Sequence, residues 1–226
     1  MKLETSLGPA NTVIEIGLET GESLTTEAGA MIAMSSGLDV ETTTYKKGKG
    51  GFLKAAKRLF AGESFFLNHY SARSSSKLFL APTLTGDIKN LSLSGEKIIV
   101  QSGSFLACEG GVDIETGWQG FKSLFSGESL FWLSASGTGE LVFSSFGEIY
   151  EVPVDGEYTV DTGHIVAFDD TLKFSLSKAG GSWLHSIIGG EGIVCKFSGQ
   201  GRLWCQSHNP ANFGYALMPH LSPKKR

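Results

Sequence analysis

Three glutamates recur in nearly the same local sequence, and they are the first residues whose type and spacing could support chemistry. LFAGESFF carries Glu63, LFSGESLF carries Glu128, and a weaker copy, IIGGEGIV, carries Glu191. A repeated carboxylate could act as a general acid, but after a glycine it is more often a hydrogen-bond acceptor at a turn. We therefore interpret the three glutamates as candidates for a role at the junctions between repeats, and we predict no catalytic residue.

Paired carboxylates offer a second kind of chemistry. Asp39 and Glu41 are two residues apart, as are Asp113 and Glu115, so on a strand each pair would share one face and could hold a hard cation. The third repeat has Lys173 at the matching place, and the five histidines lack the spacing of a ligand pair. A solvated strand face is the favoured interpretation, and we predict no metal and no cofactor.

The sequence lacks the common signatures of catalysis. Neither a Gly-x4-Gly-Lys-Ser/Thr phosphate loop nor a Gly-x-Ser-x-Gly nucleophile elbow occurs. Three cysteines are too few, and odd in number, for a disulfide framework, which favours a reducing compartment. No leader-like start and no apolar run of membrane-spanning length is present. We expect a soluble cytoplasmic protein that is not an enzyme. The alternative is a small-molecule or metal-binding module, or an enzyme, with its site at a repeat junction.

Residues 46–58 are the most strongly basic stretch of the chain. They include six basic residues and no acidic one, although the net charge of the chain is −4. The basic side chains are Lys46, Lys47, Lys49, Lys54, Lys57 and Arg58, and the apolar side chains of this segment and of the residues just after it include Phe52 and Phe60. As an amphipathic helix, the segment could lie on a membrane with its lysines against anionic headgroups. Packing of the apolar stripe on a sheet is the simpler interpretation, because the other repeats keep the stripe without the charge. These residues are our hypothetical interaction surface.

An internal repeat organises the chain. Each copy carries a Gly-Glu pair, then a second glycine, then an alternating strand such as LDVETT or VDIETG, and the Gly-Glu pairs predict hairpin turns. The alternation predicts that Leu38 and Val40 face inward. We predict one domain over 1–226, with repeats over 14–80, 88–145 and 149–207 and a C-terminal tail over 208–226.

Each repeat also contains a short segment of helical period just before its Gly-Glu motif, as in 52–60. Several alternating strands must bury their apolar face, and a small sandwich achieves this economically. We therefore predict an all-β fold of three pseudo-equivalent β-sandwich units around a pseudo-threefold axis, with short amphipathic helices. Similar units joined in series could close into a ring.

Three segments resemble a known family. GAMIAMSSGLDVETT, FLKAAKRLFAGESFFLNHYSA and FKSLFSGESLFWLSASGTGEL look like the bacterial and archaeal relatives of the altered-inheritance-of-mitochondria protein, a family of unknown function. The resemblance covers about 15–207. It implies a fold like that of the tryptophan RNA-binding attenuation protein (TRAP) and no known catalysis.

The function predicted from these observations is that of a non-enzymatic scaffold or interaction protein. Its partners would be further copies of itself or a membrane surface. RNA binding follows only from the fold analogy, and a fold does not determine function. The net charge of −4 argues against a broad phosphate-binding face.

Overall fold

Antiparallel β-strands dominate the computed structural model of the protein, which describes residues 1–44, 66–116, 132–178 and 193–221. The strands are β1 (Lys2–Ser6), β2 (Val13–Leu18), β3 (Ser23–Glu27), β4 (Met31–Met34), β5 (Leu38–Thr44), β6 (Phe66–Ala72), β7 (Ser76–Leu80), β8 (Ile88–Gln101), β9 (Phe105–Glu109), β10 (Val112–Thr116), β11 (Trp132–Ser144), β12 (Ile149–Asp161), β13 (Ile165–Asp169), β14 (Lys173–Lys178) and β15 (Ile193–Gln206). One α-helix, α1 (Pro210–Leu217), follows the last strand. The predominantly β fold predicted from the sequence is confirmed.

The first repeat pairs its strands in two layers. β2 and β4 flank β7, while β3 and β5 flank β6. β1 pairs with the other edge of β2. The alternation of β2 sends Ile14, Ile16 and Leu18 into a core shared with Leu78 and Leu80 of β7, and this burial stabilises the layer.

The next two stretches of chain repeat this pairing with longer strands. β11 pairs with β8 along its length on one edge and with β9 and β10 on the other. β15 pairs in the same way with β12, β13 and β14. β8 and β12 therefore correspond to β2 and β3 joined together, and β11 and β15 correspond to β6 and β7 joined together.

A β-bulge occurs at the same place in each repeat. The pairing of β4, β9 and β13 with its neighbour shifts by one residue, which leaves Ile32, Leu106 and Val166 as the extra residues. A bulge kinks a strand and increases its twist, so the strand that follows each turn bends at an equivalent point.

Two of these bulged strands also pair with the preceding repeat. β9 pairs with β3, and β13 pairs with β8. The bulged strands of the second and third repeats are thus central strands, hydrogen-bonded on both edges. Their residues lie in the cores formed at these junctions, which include Phe143 with Trp204, and Phe168 with Phe197.

The hairpin turns predicted at the Gly-Glu pairs are wrong for two of the three repeats. Gly95 lies inside β8 and Gly156 inside β12, both with positive φ, and only Gly21 lies between two strands. A glycine with positive φ permits a bend as well as a turn, so the two long strands pass through both layers without a break.

The prediction that Val40 faces inward is also wrong. Leu38 is buried, but Val40 is about half exposed. Among the described strands, β5 pairs only with β6, so Val40 has a neighbouring strand on one side alone. The three predicted amphipathic helices fall within residues 45–65, 117–131 and 179–192, outside the described residues.

Gly137 in β11 tests the bend in a long strand. Its φ is +123°, and a Cβ there would lie 2.3 Å from the carbonyl oxygen of Gly111. We expect Gly137→Ala to lower the free energy of unfolding by about 2–3 kcal/mol, because strain and a backbone clash add. Thermal denaturation followed by circular dichroism measures this change.

Gly95→Ala is the matched control. Gly95 has a φ of +105°, but no atom lies within 4 Å of the added Cβ. This variant carries the conformational strain without the clash and should lose only about 1–2 kcal/mol. Equal losses in the two variants would contradict the account of Gly137.

Candidate functional site

The residues predicted to carry function from the sequence lie outside the described residues. They are Lys46, Lys47, Lys49, Lys54, Lys57, Arg58, Phe52, Phe60, Glu63, Glu128 and Glu191. The strands that flank these segments are paired with each other, since β5 pairs with β6, β10 with β11, and β14 with β15. The described strands on either side of each of these segments are therefore neighbours in the sheet.

The carboxylate pairs lie on exposed strand faces. Asp39, Glu41, Asp113 and Glu115 are all exposed, and Asp39 forms an ion pair of 3.0 Å with Arg73. Among the residues that the structure describes, no group of three or more His, Cys, Asp or Glu side chains could hold a metal ion.

The three cysteines are buried in the core as free thiols. Burial raises the pKa of Cys108 and of Cys195 to about 12 and that of Cys205 to about 11. The thiolate is the nucleophilic form of cysteine, so these side chains are held in their unreactive state near neutral pH. Cys108 lies in one core cluster with Val112 and Leu141, and its Sγ is 3.6 Å from the carbonyl oxygen of Val112.

We expect all three thiols to resist a thiol reagent in the folded protein at pH 8. Each should react at least tenfold more slowly than in urea, because access and ionisation both require opening of the core. The release of thionitrobenzoate from Ellman's reagent, with and without denaturant, provides the measurement. Rapid modification of one thiol in the native protein would contradict its assignment to the core.

His69 joins three strands of the first repeat. Its Nδ1 lies 2.9 Å from the Thr25 hydroxyl on β3, and its Nε2 lies 2.7 Å from the Thr43 hydroxyl on β5. Both ring nitrogens are engaged by neutral hydroxyls. A nucleophile activated by histidine usually needs a third group, often a carboxylate, that orients the ring. The arrangement is typical of a cross-strand structural link.

Among the described residues, Glu27 at the end of β3 has the carboxyl group whose pKa departs furthest from its ordinary value. Desolvation by burial raises its pKa from 4.5 to about 7. Glu27 is partly buried, and the matching residue of the second repeat is Gln101, which is buried and carries no charge. The folded protein therefore holds a proton on Glu27 more tightly than the unfolded chain does.

The contribution of Glu27 to the free energy of unfolding should depend on pH. It is fully present below pH 4.5, where both states are protonated, and it is lost as the pH rises to about 7. We expect Glu27→Gln to raise the free energy of unfolding by roughly 1–3 kcal/mol at pH 8 and to change it little at pH 4. Urea denaturation at the two pH values measures the difference.

Glu4→Gln, at an exposed position on β1, is the control for this substitution. It should leave the difference in stability between pH 4 and pH 8 as it is in the unmodified protein. A Glu27→Gln variant with the same pH profile as Glu4→Gln would refute the role of desolvation.

One strand surface differs from its counterparts in the other repeats: the outer edge of β4, which we call the β4 edge (Met31, Ile32, Ala33 and Met34). Met31, Ile32 and Met34 are 42%, 55% and 41% exposed, whereas their counterparts on β9 and β13 are at most 1% exposed. The difference follows from strand pairing. β9 and β13 each have a second neighbour from the preceding repeat, and among the described strands β4 pairs only with β7.

Sequence reasoning missed this surface. The β4 edge is as apolar as FLAC and IVAF, the matching tetrapeptides of β9 and β13, so local pattern predicts burial for all three. The available signal was the order of the repeats, because the second neighbours of β9 and β13 both come from the repeat that precedes them in the sequence.

Three comparisons place the chain among known proteins. A family model described as mitochondrial biogenesis AIM24 matches residues 5–208. An uncharacterized protein of Streptococcus pyogenes serotype M6 is 33% identical over 215 residues, which cover 92% of this chain and 86% of that protein. A crystal structure of a Streptococcus pyogenes protein superimposes with a TM-score of 0.79 at 30% identity, covering 97% of this chain and 99% of the other. In the described ranges, no helix is long and apolar enough to cross a bilayer.

Proposed function

We propose that this chain, which belongs to the mitochondrial biogenesis AIM24 family, is a non-enzymatic scaffold that associates with further copies of itself. The observation that carries the proposal is the β4 edge. It combines large exposed apolar side chains with a strand edge that no other described strand covers.

An uncovered strand edge is a template for pairing with another chain. Proteins that stay monomeric usually protect such edges with charged residues, proline or a covering segment. The β4 edge carries none of these residues, since its four positions are Met31, Ile32, Ala33 and Met34. By contrast, β1 covers the edge of β2 in the same layer. The contrast supports a β4 edge whose function is to accept a partner.

The proposed scaffold consists of three TRAP-like units, each joined to the next by the same kind of strand junction. Recurrent strand pairing, the recurrent bulge and the two equivalent junctions support three equivalent units. A ring closed within one chain would need a third junction, between β12 and β4, and this pair is absent among the described strands. We therefore propose that the units follow one another in an open array.

Self-association should be visible in the mass of the purified protein. We expect light scattering after size exclusion to give a mass above that of one 24.1 kDa chain, rising with concentration through the micromolar range. Met34→Lys should shift the protein towards the mass of a single chain, because a charge on a strand edge opposes pairing.

Met218→Lys is the matched control, since Met218 is also an exposed methionine (60%) but follows α1 and belongs to neither β4 nor β12. It should assemble like the unmodified protein. A chain that remains monomeric up to high micromolar concentrations would overturn the proposed function. So would equal loss of assembly in the two lysine variants.

A further inference from the structure

The two junctions between repeats use the same register. In the first, Leu24, Thr25 and Thr26 of β3 lie opposite Glu109, Cys108 and Ala107 of β9. In the second, Ile98, Ile99 and Val100 of β8 lie opposite Asp169, Phe168 and Ala167 of β13. A backbone hydrogen bond extends each ladder at the same place, from Gly110 to Ser23 and from Asp170 to Lys97, each 3.1 Å long.

Each end of the array carries one half of this junction. In the third repeat, the residues that correspond to Thr25 and Thr26 are Thr159 and Val160 of β12, counted back from the glycine of the following turn. Among the described strands, β12 pairs only with β15. In the first repeat, the residues that correspond to Ala107 and Cys108 are Ala33 and Met34, on the β4 edge.

The side chains at these two ends match those of the existing junctions. An alanine on the bulged strand faces a β-branched residue in both: Ala107 faces Thr26, and Ala167 faces Val100. Ala33 keeps the alanine although it is exposed, and Val160 keeps the β-branched residue. Small and branched side chains directly opposite each other allow close packing of paired strands.

The polar end of the bulged strand is also repeated. In the second repeat a carboxylate oxygen of Glu109 accepts the backbone N–H of Glu140, and in the third Asp169 accepts that of Arg202. In the first repeat, the Ser35 hydroxyl accepts the backbone N–H of Lys77 at 2.6 Å. β4 is therefore held against its neighbour in the same way as β9 and β13 are.

From this correspondence we infer that β12 of one copy pairs antiparallel with β4 of a second copy, with Thr159 opposite Met34 and Val160 opposite Ala33. The inference rests on the proposed self-association and specifies the partner strand and the register. The contact is heterologous, because the two surfaces are different, so each added copy presents a new free β4 or β12 edge.

The directions of the backbone groups follow from the existing junctions. Antiparallel strands alternate between hydrogen-bonded and non-hydrogen-bonded pairs. Since Ser23 and Gly110 are hydrogen-bonded, so are Thr25 and Cys108 two residues on. By correspondence, the N–H groups of Met34 and Thr159 point away from their own repeats and towards the partner.

Two variants, each with one added cysteine, test the pairing directly. Met34→Cys and Thr159→Cys are purified separately, mixed and treated with a mild oxidant. The paired residues would have Cα atoms about 5.5 Å apart, which is within reach of a disulfide. We expect a covalent dimer in the mixture and none in either variant alone. The three native cysteines are buried and provide no competing exposed thiol.

Two further mixtures test the register. Glu157 lies two residues from Thr159 on the same face of β12. In the proposed register, position 157 would be diagonal to position 34 of the partner, about 7–8 Å away. Glu157→Cys should therefore form no disulfide with Met34→Cys. Met218→Cys mixed with Thr159→Cys should also give no dimer. Equal yields from all mixtures would mean random collision and would overturn the inference.

Proline variants test the backbone ladder. Met34→Pro and Thr159→Pro each remove an outward N–H, and each leaves the pairing within its own repeat intact. Both should abolish the higher-mass species while keeping the β-sheet circular dichroism spectrum of the unmodified protein. If a proline variant loses that spectrum, the cysteine mixtures decide the question.

The outcomes separate this inference from the proposed function. A monomeric unmodified protein would overturn both. Assembly without cross-linking between positions 34 and 159 would overturn the inference and leave self-association standing. A variant carrying both cysteines that forms a disulfide only within one chain would show closure inside the chain, and it would overturn the inference as well.

Discussion

Each repeat is organised by one strand, or by two shorter strands in the first repeat, with antiparallel hydrogen-bonded neighbours along both edges. β11 shows the arrangement: β8 occupies one edge along its whole length, and β9 and β10 share the other. Because every buried backbone N–H and C=O needs a partner, the positions of the three neighbours follow once β11 is laid down. β15 imposes the same order on the third repeat, and β6 with β7 imposes it on the first. The cores, the bulges and the junctions all depend on this pairing.

The sequence predicted the elements that recur and failed where the outcome depended on neighbours distant in the chain. Repeated glycines and alternating strands predicted an all-β fold, and antiparallel strands make up most of the described residues. Gly95 was assigned to a turn because a positive φ favours both turns and bends, and only the length of the paired strand distinguishes them. Val40 was expected inside because periodicity identifies a face of a strand and not what covers it.

The candidate functional residues also divide into those that the sequence pattern singles out and those that depend on strands distant in the chain. Glu63, Glu128, Glu191 and the basic segment 46–58 were singled out by repetition and charge, and they lie outside the described residues. The β4 edge was not singled out, because its composition is that of a core strand. Exposure of such a strand is a property of the whole arrangement of repeats. It becomes visible only when β4 is compared with β9 and β13, which have identical pairing on one edge and an additional neighbour on the other.

The series of junctions also has a consequence for the order in which the protein opens. Among the described strands, the first and third repeats pair with the second and not with each other, so the free energy of unfolding is approximately a sum over units and nearest-neighbour junctions. The middle repeat is stabilised from both sides, and amide protons in β8 and β9 should be the slowest to exchange with solvent. Opening should begin at the outer repeats. A chain shortened after the second repeat would present the edge formed by Ile98, Ile99 and Val100, which is more apolar than the present edge of Tyr158, Thr159 and Val160 and more prone to aggregate.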